Sequence, residues 1–146
     1  MPELKFPRST LGPIVHVTIS PSTRSTTPTS QISSASSYSQ SVPMLVDTGA
    51  ERTLIDEALI DVWGLVYVSA SWVTTINGTK PVRSFEISLS LGASAPASQL
   101  CLDPLIVMAR RSPFQGMPFR GLLGRDVLSR CVFVYNGPNH ECSLSY

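Results

Sequence analysis

The stretch "MLVDTGAERTLID", residues 44–56, sets a single acid, Asp47, directly behind the apolar run Met44, Leu45, Val46. Small residues follow it: Thr48, Gly49 and Ala50. The apolar run reads as a strand, "VPMLVDTG", buried on both faces. Asp47 is therefore delivered at the end of a buried strand. A carboxylate in that position needs hydrogen-bond partners or a chemical task, because burying it unpaired is costly. The small residues beside it let another chain or a substrate backbone approach closely. Taken alone, Asp47-Thr48-Gly49 is also what an ordinary polar turn contains, since Asp and Gly are common there. The surroundings decide between the two readings.

On the C-terminal side, Asp56 is expected to cap a short helix through "EALIDVW" (57–63), which Gly64 ends. The segments "VYVSASWVTTI" (66–76) and "PVRSFEISLSLG" (81–92) read as strands joined by "NGTK". Asn77-Gly78 favours a type I′ turn, which makes residues 72–87 a β-hairpin. Asn77-Gly78-Thr79 also fits a glycosylation sequon, but the turn accounts for it. "CLDPLIVM" (101–108) is a further strand. In "RGLLGRDVL" (120–128) two apolar residues precede Gly124, where a glycine allows tight backbone packing beside the acid-bearing loop. Asp126 is expected to cap a single helical turn through "VLSR", and "CVFVY" and "CSLSY" to pair across a turn containing Asn136-Gly137.

On the N-terminal side, "PIVHVTIS" (13–20) alternates as a strand does. Residues 21–41, rich in Ser, Thr and Pro, read as a flexible surface loop, tolerated as an insertion because closing a longer loop costs little. The total is seven or more short strands and two short helices in one mainly β domain spanning residues 1–146.

Composition narrows the function. The 146 residues are 42% hydrophobic and 14% charged, with a net charge of +1, so no strong field points toward nucleic acid or an acidic partner. No apolar run is long enough to span a bilayer. The N-terminal "MPELKFPRST" lacks the apolar core of a signal peptide, so a cytoplasmic address is expected. Three cysteines, Cys101, Cys131 and Cys142, do not suggest a disulfide framework. Cys131, His140 and Cys142 lack metal-ligand spacing, so no metal or cofactor is expected. There is no G-x-S-x-G elbow, no phosphate-cradling glycine loop and no interleaving of basic and aromatic residues. His16 and His140 read as ordinary strand and turn residues. Carboxylates are left to carry any chemistry.

In this order and combination, the motifs resemble the retropepsin-like aspartic proteases, the retroviral protease family and its bacterial relatives, over nearly the whole chain. "PIVHVTIS" is similar to the family's first long strand, and "MLVDTGAERTLID" to its catalytic strand and loop. The hairpin through Asn77-Gly78 lies where the family has its substrate-covering flap. "GLLGRDVL" is similar to its glycine element and short helix, and "ECSLSY" (141–146) to the C-terminal strand of its dimer sheet. "CVFVYNGP" resembles bacterial members. Two features depart from the pattern: the long 21–41 loop, and a flap with a single glycine, Gly78, at its tip.

The resemblance implies an all-β, retropepsin-like (acid protease), closed β-barrel-like domain with one or two short helices and a β-hairpin flap. It implies an aspartic endopeptidase with Asp47 as the catalytic acid and Thr48 and Gly49 completing the triplet. Such chemistry needs two carboxylates sharing one proton. Asp56, Asp61, Asp103 and Asp126 are not followed by Thr-Gly, so the second Asp47 comes from a symmetric homodimer.

Further roles are implied in the same way. The Thr48 hydroxyl bonds across the two-fold, the Gly49 carbonyl faces substrate and Ala50 borders the first specificity pockets. Ile76, Asn77, Gly78 and Thr79 cover the substrate and Phe85 walls a pocket. Leu122 and Leu123 pack beneath the dyad, supported by Gly124, Arg125 and Asp126. Glu51 and Arg52 are the candidate partners of Arg125, against ordinary surface charge. The substrate is an extended peptide or unfolded protein, because a chain bound under a hairpin must be extended to pair with it. The alternative is a non-catalytic module of the same fold that binds peptides or dimerises.

Overall fold

The computed structural model describes residues 1–24, 38–92 and 96–146. Ten strands are present: β1 (Glu3–Ser9), β2 (Gly12–Pro21), β3 (Gln40–Val46), β4 (Leu54–Asp56), β5 (Ser69–Thr75), β6 (Gly78–Gly92), β7 (Gln99–Arg110), β8 (Gly121–Leu123), β9 (Val132–Asn136) and β10 (Glu141–Ser145). One α-helical turn, α1 (Arg125–Leu128), and single 3₁₀ turns at Glu57–Leu59, Asp61–Trp63 and Pro96–Ser98 complete the described structure. The strands form one sheet in the order β5-β6-β7-β4-β8-β3-β2-β1-β10-β9. A further pairing of β6 with β2 closes the six strands from β6 to β2 into a barrel. Two arms leave it. The β5–β6 hairpin projects from one side, and β1, β10 and β9 extend from β2.

Period-two alternation builds the barrel. In β2, Val15, Val17 and Ile19 point inward, while His16 and Thr18 are exposed. In β6, Phe85, Ile87, Leu89 and Leu91 do the same. Near Ser88 the ladder shifts register opposite Asp103 and Pro104, because a proline cannot donate to a regular ladder. The bulge frees the Asp103 carboxylate to accept from Ser22 Oγ at 2.6 Å and from the Thr23 N–H. The expected 21–41 loop is thereby tied down where it leaves β2. At its other end the Gln40 side-chain amide donates to the Leu59 carbonyl at 2.7 Å. Residues 25–37, most of that loop, lie outside the described residues.

Several expectations need correcting. A shorter strand not expected from sequence, β1, precedes "PIVHVTIS": its Phe6 is buried, and it pairs with both β10 and β2. Strand β3 is buried on one face only, through Val42, Met44 and Val46, while Pro43 and Leu45 are half-buried. The helix through residues 57–63 is two separate 3₁₀ turns, although Asp56 does cap the first by accepting from the Ala58 N–H at 3.1 Å.

The hairpin turn is not type I′. Thr75 faces Gly78 across the ladder, so the central residues are Ile76 and Asn77, and neither has positive φ. A type I′ turn needs positive φ at both. Here only Gly78 takes it, at 94°. The Thr75 hydroxyl accepts from the Asn77 N–H and donates to the Gly78 carbonyl, closing the turn in another way. Strand β10, the expected dimer strand, pairs within the chain with β1 and β9.

Candidate active site

Strand β3 runs between β2 and β8, antiparallel to the first and parallel to the second. It carries Asp47 to the barrel's rim, where the Asp47 N–H donates to the Leu123 carbonyl at 3.0 Å. The chain turns there. The Gly49 N–H donates to Asp47 Oδ1 at 2.8 Å, and the Ala50 N–H to the Asp47 carbonyl at 3.2 Å. The carboxylate is half-buried and held by its own loop. Thr48 and Gly49 are exposed beside it, and among the described residues the Thr48 hydroxyl has no hydrogen-bond partner.

A second loop braces the first. Gly124 is packed so closely on the segment after Asp47 that a Cβ there would lie 2.5 Å from the Arg52 carbonyl carbon and 2.8 Å from the Thr53 nitrogen. Real side chains never approach main chain that closely, so the position admits only glycine. The Arg125 N–H donates to the Ala50 carbonyl at 2.9 Å, and its guanidinium to the Thr48 carbonyl at 3.1 Å, with a longer contact of 3.4 Å to the Gly49 carbonyl. Arg125 thus holds the backbone of the Asp47 loop. It makes no ion pair with Glu51, and Arg52 carries the same charge; both are exposed, and the Arg125 guanidinium is engaged by main chain instead.

Asp126 is not the cap of α1, since the N-cap is Gly124. Its carboxylate instead accepts from the Thr53 N–H at 3.0 Å, from Thr53 Oγ1 at 2.7 Å and from the Val127 N–H at 2.9 Å. Thr53 is fully buried, and its hydroxyl in turn accepts from the Gly124 N–H at 3.1 Å. Sequence reasoning missed Thr53. Its partners lie more than 70 residues away, and the only local signal is a threonine between charged and apolar residues.

A cleft of about 550 Å³ opens beside this loop, under the hairpin. Its wall on the loop side is Gly49, Ala50, Glu51 and Arg52. Leu54, Met108 and Leu122 supply an apolar floor, and β5 from Ser69 to Thr75, with Trp72 and Val73, supplies the roof. Of the candidate substrate residues, Ala50 lines the cleft. Ile76, Asn77, Gly78 and Thr79 sit at the exposed hairpin tip, outside the lining, with Ile76 fully exposed. Phe85 is buried, packed edge-on against Tyr67 at 6.5 Å, and does not reach the cleft. Leu123 is completely buried, whereas Leu122 is part of the cleft floor.

One ion pair fixes the hairpin's base to the barrel, and two more join the segment around β4 to its neighbours. Arg83 of β6 pairs with the buried Glu57 and lies over the Tyr67 ring. Arg120 pairs with Asp56 at 2.8 Å, and Arg111 with Asp61 at 2.7 Å. Burial alone would raise the Asp56 carboxyl. The bonds from Arg120 and from the Ala58 and Ser112 N–H groups, with the charge of Arg120, outweigh it and hold Asp56 below its ordinary value. A second cavity, of about 500 Å³, borders Arg83, Arg110 and Arg111, but no residue of the 47–52 loop lines it. No helix among the described residues is long and apolar enough to cross a membrane.

Comparison with known proteins agrees with this architecture. The model of the family described as "Aspartyl protease" matches residues 34–127, well over half of the chain, and spans both the Asp47 loop and Gly124. A search of curated proteins gave no match. Among solved structures, the crystal structure of a retropepsin-like aspartic protease from Rickettsia conorii superposes with a TM-score of 0.60. It is 14% identical, and the match covers 99% of this chain and 90% of that one. At that identity the likeness speaks for the fold. The matched family model and the barrel with its braced Asp47 loop together place this chain in the aspartyl protease family, with a retropepsin-like all-β fold.

Proposed function

We propose that the chain is an aspartic endopeptidase, and that its active site forms when two copies bring their Asp47 carboxylates together on a two-fold axis. The observation that carries this reading is the Asp47 carboxylate, held by the Gly49 N–H on a loop that Arg125 and Gly124 brace and whose Gly49–Arg52 stretch walls a cleft with an apolar floor. Only one Asp-Thr-Gly triplet is present in the sequence, so a single copy lacks the second carboxylate.

The chemistry follows from two like charges about 3 Å apart, which cannot both ionise. The pair shares one proton. The ionised carboxylate takes a proton from water, whose oxygen attacks the peptide carbonyl carbon. The protonated partner gives its proton to the carbonyl oxygen. Collapse of the tetrahedral intermediate breaks the C–N bond as a proton reaches the leaving amine, and the dyad returns to its starting charge.

Thr48, exposed beside Asp47, is assigned the contact across the two-fold. The Gly49 carbonyl and Ala50 are assigned to the substrate backbone and first pocket, and the hairpin tip, Ile76 to Thr79, to a cover that closes over bound peptide. The substrate on this reading is an extended peptide or unfolded protein, which the hairpin can engage through main-chain bonds. The chain acts as one domain, in the cytoplasm.

The test is cleavage of an unfolded protein over a range from about pH 4 to 7, so that a pair sharing one proton is sampled in more than one protonation state. Wild type is expected to cut and Asp47→Asn to leave the substrate intact. Equal cleavage by the two proteins would refute the assignment.

A further inference from the structure

The cavity of about 500 Å³ beside Arg83, Arg110 and Arg111 has no part in the proposed reaction. Alternation along β5 sets it on the opposite face of the hairpin from the cleft. Ser69 faces Ser84 across the ladder, and both line the cleft. Ala70 faces Arg83 and Trp72 faces Pro81, and these line the outer cavity. Ser71 and Trp72 border both spaces. Strand β5 is one end of the sheet, and no described strand pairs with its outer edge. A chain leaving the cleft can therefore cross that edge into the cavity without displacing a described strand. Trp72, 70% exposed, stands at the crossing.

The cavity is basic. Arg83 enters it from β6, Arg110 from the end of β7 and Arg111 directly after. Three carboxylates lie around them, and each already has a guanidinium: Glu57 has Arg83, Asp61 has Arg111 and Asp56 has Arg120. Arg110 is the fourth guanidinium. It is half-buried, and among the described residues it makes no ion pair and no side-chain hydrogen bond. A cation drawn partly out of water without a partner is costly, which a ligand of opposite charge relieves. Arg111 spends one bond from each terminal nitrogen on Asp61, so further N–H donors of its guanidinium are unspent. The net charge of +1 over the whole chain hides this local excess.

We infer that this cavity is a second subsite for substrate, and that it takes an acidic side chain, aspartate or glutamate, from the peptide segment that leaves the cleft over the β5 edge. This inference rests on the endopeptidase reading of Asp47. An extended peptide advances about 3.3 Å per residue and has to round a sheet about 10 Å thick, so the acid lies about three to five residues beyond the last one held in the cleft. A carboxylate fits a guanidinium through two parallel N–H···O bonds. A lysine in its place adds to a positive charge that is already unpaired, so the subsite discriminates by sign.

The test digests a random-sequence peptide library with the full chain and reads the cut sites by mass spectrometry. Wild type is expected to favour Asp or Glu at these flanking positions several-fold, up to about tenfold, the worth of one charge-assisted bond at a half-exposed site. Arg110→Gln is expected to cut at the same scissile residues but to lose the flanking preference, and Arg110→Glu to turn it toward Lys and Arg. The preference is a ratio within each digest, so a less stable variant does not distort it. Raised salt is expected to weaken it in wild type as well. A preference that salt and both substitutions leave intact, or no preference in wild type, refutes the subsite while the endopeptidase reading stands. Should wild type cut nothing in the library or in an unfolded protein, the endopeptidase reading falls, and the inference with it.

Discussion

Replacing Thr53 with valine removes one hydroxyl at nearly constant volume, which isolates the polar bracing of the Asp47 loop from its packing. Two bonds are lost. Thr53 Oγ1 donates to the Asp126 carboxylate at 2.7 Å, and it accepts from the Gly124 N–H at 3.1 Å. The first is a bond to a charged group, worth about 1.5–3 kcal/mol; the second leaves a buried N–H without a partner, which costs about 1–3 kcal/mol. The two overlap, since relaxation that eases one eases the other. A loss of about 2–4 kcal/mol is therefore expected. The Thr53 N–H still reaches Asp126, so the loop is weakened rather than released.

Urea denaturation followed by far-UV circular dichroism measures the change, as a lower midpoint at unchanged slope. Thr53→Ser is the control: it keeps both bonds and gives up one buried methyl, about 1 kcal/mol. Should valine prove as stable as serine at this position, the hydroxyl network does not brace the loop, and the account of Thr53 is wrong.

Other consequences are as specific. Gly124→Ala forces a Cβ against the Arg52 and Thr53 main chain and is expected to lower stability by about 2 kcal/mol or more, while Gly137→Ala, where the nearest atom is 3.7 Å away, shifts it by less than about 0.5 kcal/mol in the same denaturation assay. Asp56 is held below 3.8 in the folded chain, so its contribution to stability is present above that pH and disappears as pH falls through the folded value. Arg120→Gln is expected to shrink that acid-side loss, seen as a flatter dependence of the unfolding midpoint below about pH 4. Ile76→Ser, at a fully exposed position, is expected to leave the melting temperature unchanged but to raise KM for peptide if the hairpin tip closes over substrate.

The parts of the fold legible in the sequence are those whose signal is local. Asp47 after an apolar strand, Gly124 after two leucines and the alternation of β2 and β6 are each contained in a few adjacent residues. What was not legible depends on distant partners. Strand β1 carries only Leu4 and Phe6 as apolar markers among Lys5, Pro7 and Arg8, and it is a strand because β10 and β2 flank it.

The turn at Ile76-Asn77 was misplaced by one residue. Asn-Gly favours positive φ at both positions, but here the Thr75 hydroxyl stabilises a turn in which Gly78 alone adopts it. Asp126 has the composition of a helix cap, and only the fold places Thr53 against it. Phe85, read as a pocket wall, lies on the inward phase of β6. The sheet order likewise sets the C-terminal strand β10 between β9 and β1, a pairing that no local signal announces.

The central claim is that catalysis needs one Asp47 from each of two copies, and subunit mixing tests it most directly. Wild type and Asp47→Asn are combined at fixed total concentration, allowed to exchange, and assayed on an unfolded protein near pH 5. If both carboxylates are required, only wild-type pairs cut, and an equimolar mixture retains about a quarter of the wild-type rate. A mixture that retains about half, falling in proportion to the wild-type fraction, would show that each Asp47 works alone and would contradict the account.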